Sequence, residues 1–102
     1  MNLIELNMER IRALCQKHKV SKLFAFGSVL SDKFNSESDI DLIVDFDNVD
    51  LKEYANNYFN LKFSLEKLFH RDVDLLEEKA IKNPFFRKSI DNKRVLIYGR
   101  GN

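Results

Sequence analysis

Hydrophobic residues recur at helical spacing near the start of the chain and then form a short continuous run. Residues 3–18 carry an apolar stripe that predicts a first helix, and the stripe consists of Ile4, Met8, Ile11 and Cys15. The apolar and aromatic run 22–26 ends at Gly27, which predicts a buried first strand closed by a break in the backbone.

The next apolar segment alternates with acids at the period of a β-strand. Residues 31–38 are polar and turn-forming, and residues 40–46 then alternate between apolar and acidic side chains. A second strand with this pattern carries one face that consists of Asp39, Asp41, Ile43 and Asp45, and its other face is apolar. We therefore expect a strand with one acidic face.

A long helix and a third strand are predicted next. The helix follows Asp50, which forms a candidate capping box with Glu53, and it carries an aromatic and aliphatic stripe as far as Phe69. The segment 72–76 has the sequence DVDLL and predicts a short strand. We expect its acids to share one face of that strand.

The end of the chain predicts a short helix and a last strand, and the order of all elements indicates the fold class. Asn83 and Pro84 suit the start of a helix that runs to about residue 90, and residues 95–98 suit a strand. The alternation of helices and strands predicts an α/β (α+β) fold, a small mixed sheet of about four strands with helices packed against it. The length predicts a single domain over residues 1–102, whereas strand order is not predictable from the pattern.

Composition restricts the class of protein. The hydrophobic content of 44% and the nine phenylalanines exclude a disordered chain, and 32% charged residues with only short apolar runs exclude a membrane span. The first residues mix charges with apolar positions, so we expect no secretory signal. The single cysteine, Cys15, cannot form an internal disulfide, which favours a cytoplasmic protein. We expect Cys15 and His18 to be structural.

Charge is distributed unevenly although the net charge is only +1. Residues 31–78 hold five basic and thirteen acidic groups, whereas residues 79–102 hold seven basic and one acidic group. A neutral total argues against a general nucleic-acid binder. The acidic part is either a solvated face or a place that holds cations, and the basic end is either solvated or docks on an acidic partner or RNA.

Three fragments suggest chemistry when they are combined: Gly27-Ser28, Asp39-x-Asp41 and Asp74. If the second and third strands are neighbours, the carboxylates converge, and like charges at about 4 Å repel by about 1 kcal/mol in water. A hard divalent cation such as Mg²⁺ offsets this repulsion, because it binds carboxylates together with substrate phosphates. Gly27 allows a close approach of the backbone to a phosphate, and Ser28 adds a hydroxyl at an expected helix start.

The spacing of these fragments resembles the Gly-Ser-x10-Asp-x-Asp signature of the minimal nucleotidyltransferases in the DNA polymerase beta-like superfamily. In this chain the signature is FGS, ten residues, and DID followed by an apolar strand, with VDL after a long helix. The resemblance runs from about Lys22 to Leu76, and the first helix and the closing RVLIYG strand are also similar.

The resemblance implies roles for individual residues. Gly27 and Ser28 match the pair that holds a nucleoside triphosphate, and Asp39 and Asp41 match the carboxylates whose metal ions bridge its phosphates. Asp74 matches a third carboxylate that binds the second metal and helps to activate the attacking hydroxyl. The implied chemistry is in-line displacement at the α-phosphate with two Mg²⁺ ions, for which Mn²⁺ can substitute.

The resemblance also implies a partner. Minimal nucleotidyltransferases of this kind often act as antitoxins that transfer AMP from ATP to a tyrosine of a partner ribonuclease of the HEPN class. We therefore expect ATP and a HEPN-type protein as partners, and neither a membrane nor direct binding to nucleic acid. Asp45 and Asp72 lie outside the signature and are interpreted as surface acids.

One departure from the family pattern leaves alternatives open. Many relatives carry Arg-Gly shortly after the Gly-Ser pair, where this chain has Ser31-Asp32. An acid thus replaces a cation near the phosphates, and Lys22, Lys33 or Arg71 are candidates to compensate. The departure favours a second hypothesis, a module that keeps the fold and neutralises its partner by docking alone. A nucleotide sensor is a third.

Overall fold

The structure is a computed structural model that describes residues 2–99, with side chains from residue 3 onward. The helices among these residues are α1 (Asn2–Leu6), α2 (Met8–Lys17), α3 (Leu51–Phe69) and α4 (Pro84–Lys93). The strands are β1 (Val20–Phe26), β2 (Ile40–Phe46), β3 (Val73–Glu77) and β4 (Val95–Gly99). Short 3₁₀ turns follow β1 and β3, at Gly27–Leu30 and Glu78–Ala80.

The strands form one mixed sheet in the order β3-β2-β1-β4. β1 pairs antiparallel with both β2 and β4, whereas β2 and β3 run parallel. A parallel pair needs a long crossover connection, and α3 provides it between β2 and β3. The second and third strands are therefore neighbours, which is the condition under which we expected the carboxylates to converge.

One face of the sheet packs against α2 and α3 and forms the main core. The buried side chains that β2 contributes are Ile40, Leu42, Val44 and Phe46, in the predicted alternation with acids. They join a cluster that contains the buried positions of the two helices, which are Ile11, Cys15, Leu61, Leu65 and Phe69. Full burial of one such aliphatic side chain contributes about 1.5–3 kcal/mol. A slip of β2 by one residue would expose all of its core side chains, so this face fixes the register of the strand.

Helix α4 covers part of the other face. Ile43 of β2 and Ile90 of α4 are buried, yet both lie outside the main core cluster. At the end of α4, the guanidinium carbon of Arg94 lies 4.0 Å from the centroid of the Phe24 ring in β1. The helix therefore packs against the face of the sheet that also carries the acids of β2.

Glu78 connects α4 to the end of β3. Its carboxylate accepts hydrogen bonds from Arg87 and Arg94, and its backbone carbonyl accepts a bond of 2.7 Å from Arg87 Nη2. Burial alone would raise the pKa of Glu78, but the hydrogen bonds and charges of the two arginines outweigh it and lower that pKa. This ion-pair cluster anchors the helix to the sheet.

The predicted elements are confirmed with shifted boundaries. β2 has the predicted bounds, β1 begins earlier than expected, and β3 covers Val73–Glu77 rather than residues 72–76. The predicted first helix is interrupted at Asn7, whose side-chain amide donates to the Leu3 carbonyl at 2.9 Å and competes with helical bonding. The helix start expected at Ser28 is present as a short 3₁₀ helix, Gly27–Leu30, and not as an α-helix.

Two capping predictions have different outcomes. Asp50 precedes α3 as its N-cap residue, but its side chain makes no capping hydrogen bond, so the predicted capping box is wrong. Asn83 does cap α4, since its side-chain oxygen accepts from the backbone N–H groups of Phe85 and Phe86. Pro84 occupies the first turn of α4, as predicted.

The structural interpretation of Cys15 and His18 is confirmed. Cys15 is fully buried in the core, and desolvation raises the pKa of its thiol to about 12. His18 is buried at the end of α2, with Nδ1 at 2.9 Å from the Leu14 carbonyl. Over residues 2–99, no helix has both the length and the apolar character that a membrane crossing requires.

Candidate active site

The structure brings Asp41 and Asp74 together on neighbouring strands. They are register partners in the parallel pair of β2 and β3. Neighbouring strands lie about 4.8 Å apart, and paired residues point to the same side of the sheet. Asp39 precedes β2 by one residue and shares the parity of Asp41, so all three predicted carboxylates lie at one end of one face.

Gly27 lies against the carboxylate of Asp41 on the opposite side from Asp74. It directly follows Phe26, which pairs with Asp41 in the antiparallel register of β1 and β2. Gly27 has a φ of +76°, a region that residues with a side chain rarely adopt. A Cβ atom added here would overlap Oδ2 of Asp41 and lie 3.3 Å from its Cγ. Only glycine fits this corner while Asp41 keeps its position.

The environment of Asp41 opposes its ionisation. Burial is the main cause that raises the pKa of the Asp41 carboxyl, and the charges of Asp74 and Asp39 raise it further. Asp41 is half-buried, whereas Asp39 and Asp74 are exposed. The three acids therefore interact electrostatically, and a cation bound beside them would relieve the repulsion.

The donor set fits a divalent metal whose coordination is completed by a substrate. Within the described residues, the structure contains no ready-made group of three or more His, Cys, Asp or Glu side chains that could hold an ion by themselves. Mg²⁺ characteristically binds one or two carboxylates together with substrate phosphates and water. Asp41 with its neighbouring carboxylates offers the oxygen ligands that this coordination needs.

The Gly27–Leu30 turn lies at the same end of the sheet. Ser28 is half-buried in this turn, and its carbonyl accepts hydrogen bonds from the backbone and hydroxyl of Ser31, at 2.9 and 3.1 Å. These bonds close the turn immediately after Gly27. The predicted nucleotide-binding pair therefore stands next to the predicted metal-binding carboxylates.

Arg71 has a role that the sequence analysis missed. Its Nη1 donates to the carbonyls of Asn35 and Ser38, each at 2.9 Å, and its guanidinium carbon lies 4.6 Å from the centroid of the Phe34 ring. Arg71 thus holds the loop that leads into Asp39. No local pattern indicates this role, because it depends on contacts between segments far apart in sequence.

Two of the other charged residues considered from the sequence, Lys22 and Asp45, lie away from the Asp41 end of the sheet. Lys22 pairs with Asp45 in the β1–β2 register, several residues from the Asp41 end of the sheet. Lys33 and Asp72 are exposed. A polar cavity of about 230 Å³ opens at the far end of β2 and is lined in part by Asp45, but none of the predicted site residues lines it.

The similarity to known proteins agrees with this arrangement. The family described as Polymerase beta, Nucleotidyltransferase matches residues 9–102 of the chain. The chain belongs to this nucleotidyltransferase family. Two proteins of Methanocaldococcus jannaschii, both named "putative protein adenylyltransferase", are 35% and 34% identical to this chain over 86 residues. Each alignment covers 84% of this chain and 85% of the relative.

Several solved structures share the fold of this chain. One described as a "putative minimal nucleotidyltransferase" has a TM-score of 0.73 at 26% identity and covers 89% of both chains. A toxin–antitoxin structure with AMP-PNP has a TM-score of 0.70 at 22% identity, over 91% of this chain and 73% of that chain.

A third structure contains a tri-AMPylated Shewanella oneidensis HEPN toxin in complex with an MNT antitoxin. It has a TM-score of 0.63 at 22% identity, over 94% of this chain and 72% of that chain. At this identity the similarity shows the fold alone. The predicted membership of the minimal nucleotidyltransferases and the predicted α+β fold are confirmed.

Proposed function

We propose that this nucleotidyltransferase transfers AMP from ATP to a partner protein in a reaction that depends on Mg²⁺. The observation that carries the proposal is the position of Asp41, with Asp74 beside it on β3 and Gly27 against its carboxylate. The names of the Methanocaldococcus relatives support a protein as the acceptor. We further propose that residues 1–102 act as a single nucleotidyltransferase domain.

In this proposal the predicted residues form a phosphate-binding group and a metal-binding group. Gly27 and Ser28 hold the triphosphate, and Asp39, Asp41 and Asp74 hold two Mg²⁺ ions, which Mn²⁺ can replace. The bound metal would neutralise phosphate charge during in-line displacement at the α-phosphate. Asp74 would help to activate the attacking hydroxyl by accepting its proton, and its exposure at the edge strand β3 supports this role.

We propose that the acceptor is a hydroxyl group, such as that of a tyrosine, on a HEPN-type toxin. The hydroxyl oxygen attacks the α-phosphorus, the bond to the β-phosphate oxygen breaks, and pyrophosphate leaves. The solved complex of an AMPylated HEPN toxin with an MNT antitoxin supports this pairing by analogy of fold. The chain would then serve as the antitoxin of such a pair.

A second candidate function is neutralisation of the partner by docking alone. Two observations favour it. The chain has no cation at Ser31-Asp32, and Arg71 donates to backbone carbonyls of the loop that precedes Asp39. Triphosphate bound at Gly27 would then have weaker support from positive charge. In that case the fold and the acidic site would be kept while transfer is slow or absent.

Transfer and docking can be separated by one experiment. The wild-type protein and the Asp41→Asn variant are incubated with a HEPN-type partner, Mg²⁺ and ATP labelled at its α-phosphate. Asp45→Asn is the matched control, because it makes the same substitution on the same strand and face. Transfer predicts label on the partner with wild type and Asp45→Asn, and none with Asp41→Asn.

The ribonuclease activity of the partner is measured in the same samples. Inhibition that is equal for wild type and Asp41→Asn, without label on the partner, would replace the transfer proposal with docking. Label that persists in Asp41→Asn would show that the acidic site is not the site of transfer.

A further inference from the structure

Two aromatic rings lie beside the acidic site, on the face of the sheet that carries Asp41. Phe26 ends β1 and is the register partner of Asp41, and directly opposed residues of an antiparallel pair point to the same side. Phe86, in the first turn of α4, meets Phe26 edge-on, with ring centroids 6.5 Å apart and an interplanar angle of 75°. The pair thus extends from the carboxylate site towards solvent.

The backbone that carries Phe86 is fixed on both sides of the ring. The side chain of Asn83 accepts hydrogen bonds from the N–H groups of Phe85 and Phe86, at 3.0 and 3.1 Å. The next residue, Arg87, is bound to the Glu78 carboxylate and carbonyl. Residue Phe86 nevertheless remains 42% exposed. A large aromatic surface is therefore presented to solvent on a rigid support.

The contact with Phe26 places the Phe86 ring at the Asp41 end of the sheet. Arg94, after the last residue of α4, packs over Phe24, whereas Phe86 in the first turn packs against Phe26. The C-terminal end of α4 also lies near this end of β1, because Val95 follows Arg94 and pairs with Ala25. Phe26 pairs with Asp41 and directly precedes Gly27, so its contact with Phe86 locates the start of the helix. Its first turn lies at the end of the sheet where Asp41 and Gly27 meet.

We propose that the Phe86 ring stacks on the base of the nucleoside triphosphate whose phosphates bind at Gly27-Ser28, and that Phe26 supports the ring. The inference rests on the proposed function, because it assigns the base subsite of the same nucleotide. Every base has a π-face, so stacking tolerates different bases. The larger ring system of a purine offers more overlap, so ATP and GTP are expected to bind more tightly than CTP and UTP.

The experiment compares a nucleotide with an inorganic chain of phosphates. Dissociation constants for ATP and for inorganic tripolyphosphate are measured with Mg²⁺ by isothermal titration calorimetry. Phe86→Leu keeps an apolar side chain but removes the π-face. Its Kd for ATP is expected to rise by about tenfold, the effect of losing one base stack, while its Kd for tripolyphosphate stays unchanged. Phe63→Leu is the matched control, an exposed phenylalanine on α3.

A second variant tests the stacking proposal by fluorescence spectroscopy. The chain contains no tryptophan, so Phe86→Trp introduces a single indole as a reporter. This variant is expected to bind ATP at least as tightly as wild type. ATP should quench its fluorescence, since the base would lie on the indole, whereas tripolyphosphate should not.

The outcomes separate this inference from the function on which it rests. Two results would overturn the stacking role but not the proposed nucleotide site. One is equal ATP affinity of Phe86→Leu and wild type, and the other is an equal loss of ATP and tripolyphosphate binding in Phe86→Leu. Wild-type protein that binds neither compound would overturn the proposed nucleotide site and the stacking role together.

Discussion

Asp74 is the register partner of Asp41 in the parallel pair of β2 and β3, although a loop and the whole of α3 separate them in sequence. The crossover through α3 therefore creates the acidic site. In the protein without metal, burial raises the pKa of Asp41, and repulsion from the charges of Asp74 and Asp39 raises it further. A site of this kind reduces stability until a cation binds.

The first prediction concerns this repulsion. At pH 7 and without divalent metal, Asp41→Asn is expected to match or exceed wild type in its free energy of unfolding, by up to about 1 kcal/mol, because the repelling charge is gone. Urea denaturation monitored by circular dichroism measures the difference. The variant should also lack the rise in melting temperature that we expect Mg²⁺ with ATP to give to wild type.

The difference in stability between Asp41→Asn and wild type should depend on pH. A carboxyl whose pKa is higher in the folded than in the unfolded protein makes wild type lose stability as the pH rises through those two values. The gain in stability of Asp41→Asn should therefore be small below pH ~4, which is the ordinary pKa of aspartate, and largest at neutral pH. Asp45→Asn serves as the control, and the same gain in that variant would contradict a specific origin at Asp41.

The second prediction concerns the contact between Gly27 and Asp41. Gly27→Ala is expected to destabilise the protein by about 1–3 kcal/mol, because alanine is strained at a φ of +76° and its Cβ would overlap Oδ2 of Asp41. In an Asp41→Ala background only the backbone strain should remain. The cost of Gly27→Ala should thus fall by roughly 0.5–2 kcal/mol. Denaturation of the two single variants and the double variant measures this coupling, and strictly additive effects would contradict the contact.

Much of the fold could be predicted because its signals are local. The alternation over Ile40–Phe46 requires one apolar and one acidic face, and the structure has that strand with the predicted bounds. The stripe of α3 and the cap at Asn83 are equally local. The interruption at Asn7 was missed, because it depends on whether one side-chain amide competes for the Leu3 carbonyl.

The composition of the candidate site was predictable, but its surroundings were not. Gly27 and Asp41 belong to a signature with fixed spacing, and their contact follows from the antiparallel pairing of β1 and β2. The position of Asp74 depended on strand order, which no periodicity determines. Arg71 and Phe86 reach the site region from other elements, so only the folded structure indicates their positions.

The third prediction concerns the loop that leads into Asp39. Arg71→Lys keeps the charge but cannot reproduce the planar guanidinium that bonds the Asn35 and Ser38 carbonyls and packs over Phe34. We expect a loss of about 1–2 kcal/mol in the free energy of unfolding and faster amide exchange over residues 31–39. Hydrogen-exchange mass spectrometry measures the second effect. Arg12→Lys, on the exposed side of α2, is the control.

Arg71→Lys should also weaken ATP binding, because Asp39 follows the loop directly. Amide exchange in residues 31–39 that matches wild type would contradict the proposed support by Arg71. A loss of stability without any change in ATP affinity would show that Arg71 stabilises the loop but does not position Asp39.

The last prediction concerns the anchor of α4. The pKa of Glu78 is lowered because hydrogen bonds and charges from Arg87 and Arg94 outweigh the opposing effect of burial. A group of this kind stabilises the fold above its unfolded pKa of about 4.3, and the contribution is lost as the pH falls through the lower folded pKa. Glu78→Gln should therefore cost about 1–2 kcal/mol at pH 7 and progressively less below pH ~4. Denaturation across this pH range measures the difference, with the exposed Glu37→Gln as the control.

The same variant tests whether the anchor serves the nucleotide site. If α4 holds the Phe86 ring at the site, loosening the ion pairs of Glu78 should raise the Kd for ATP and leave the Kd for tripolyphosphate unchanged. Glu78→Gln lies outside the acidic site, so a parallel loss of both ligands would mean that the substitution disturbs the sheet itself. An ATP affinity equal to that of wild type, in a variant that is measurably less stable, would show that the anchor supports the fold without supporting the ring.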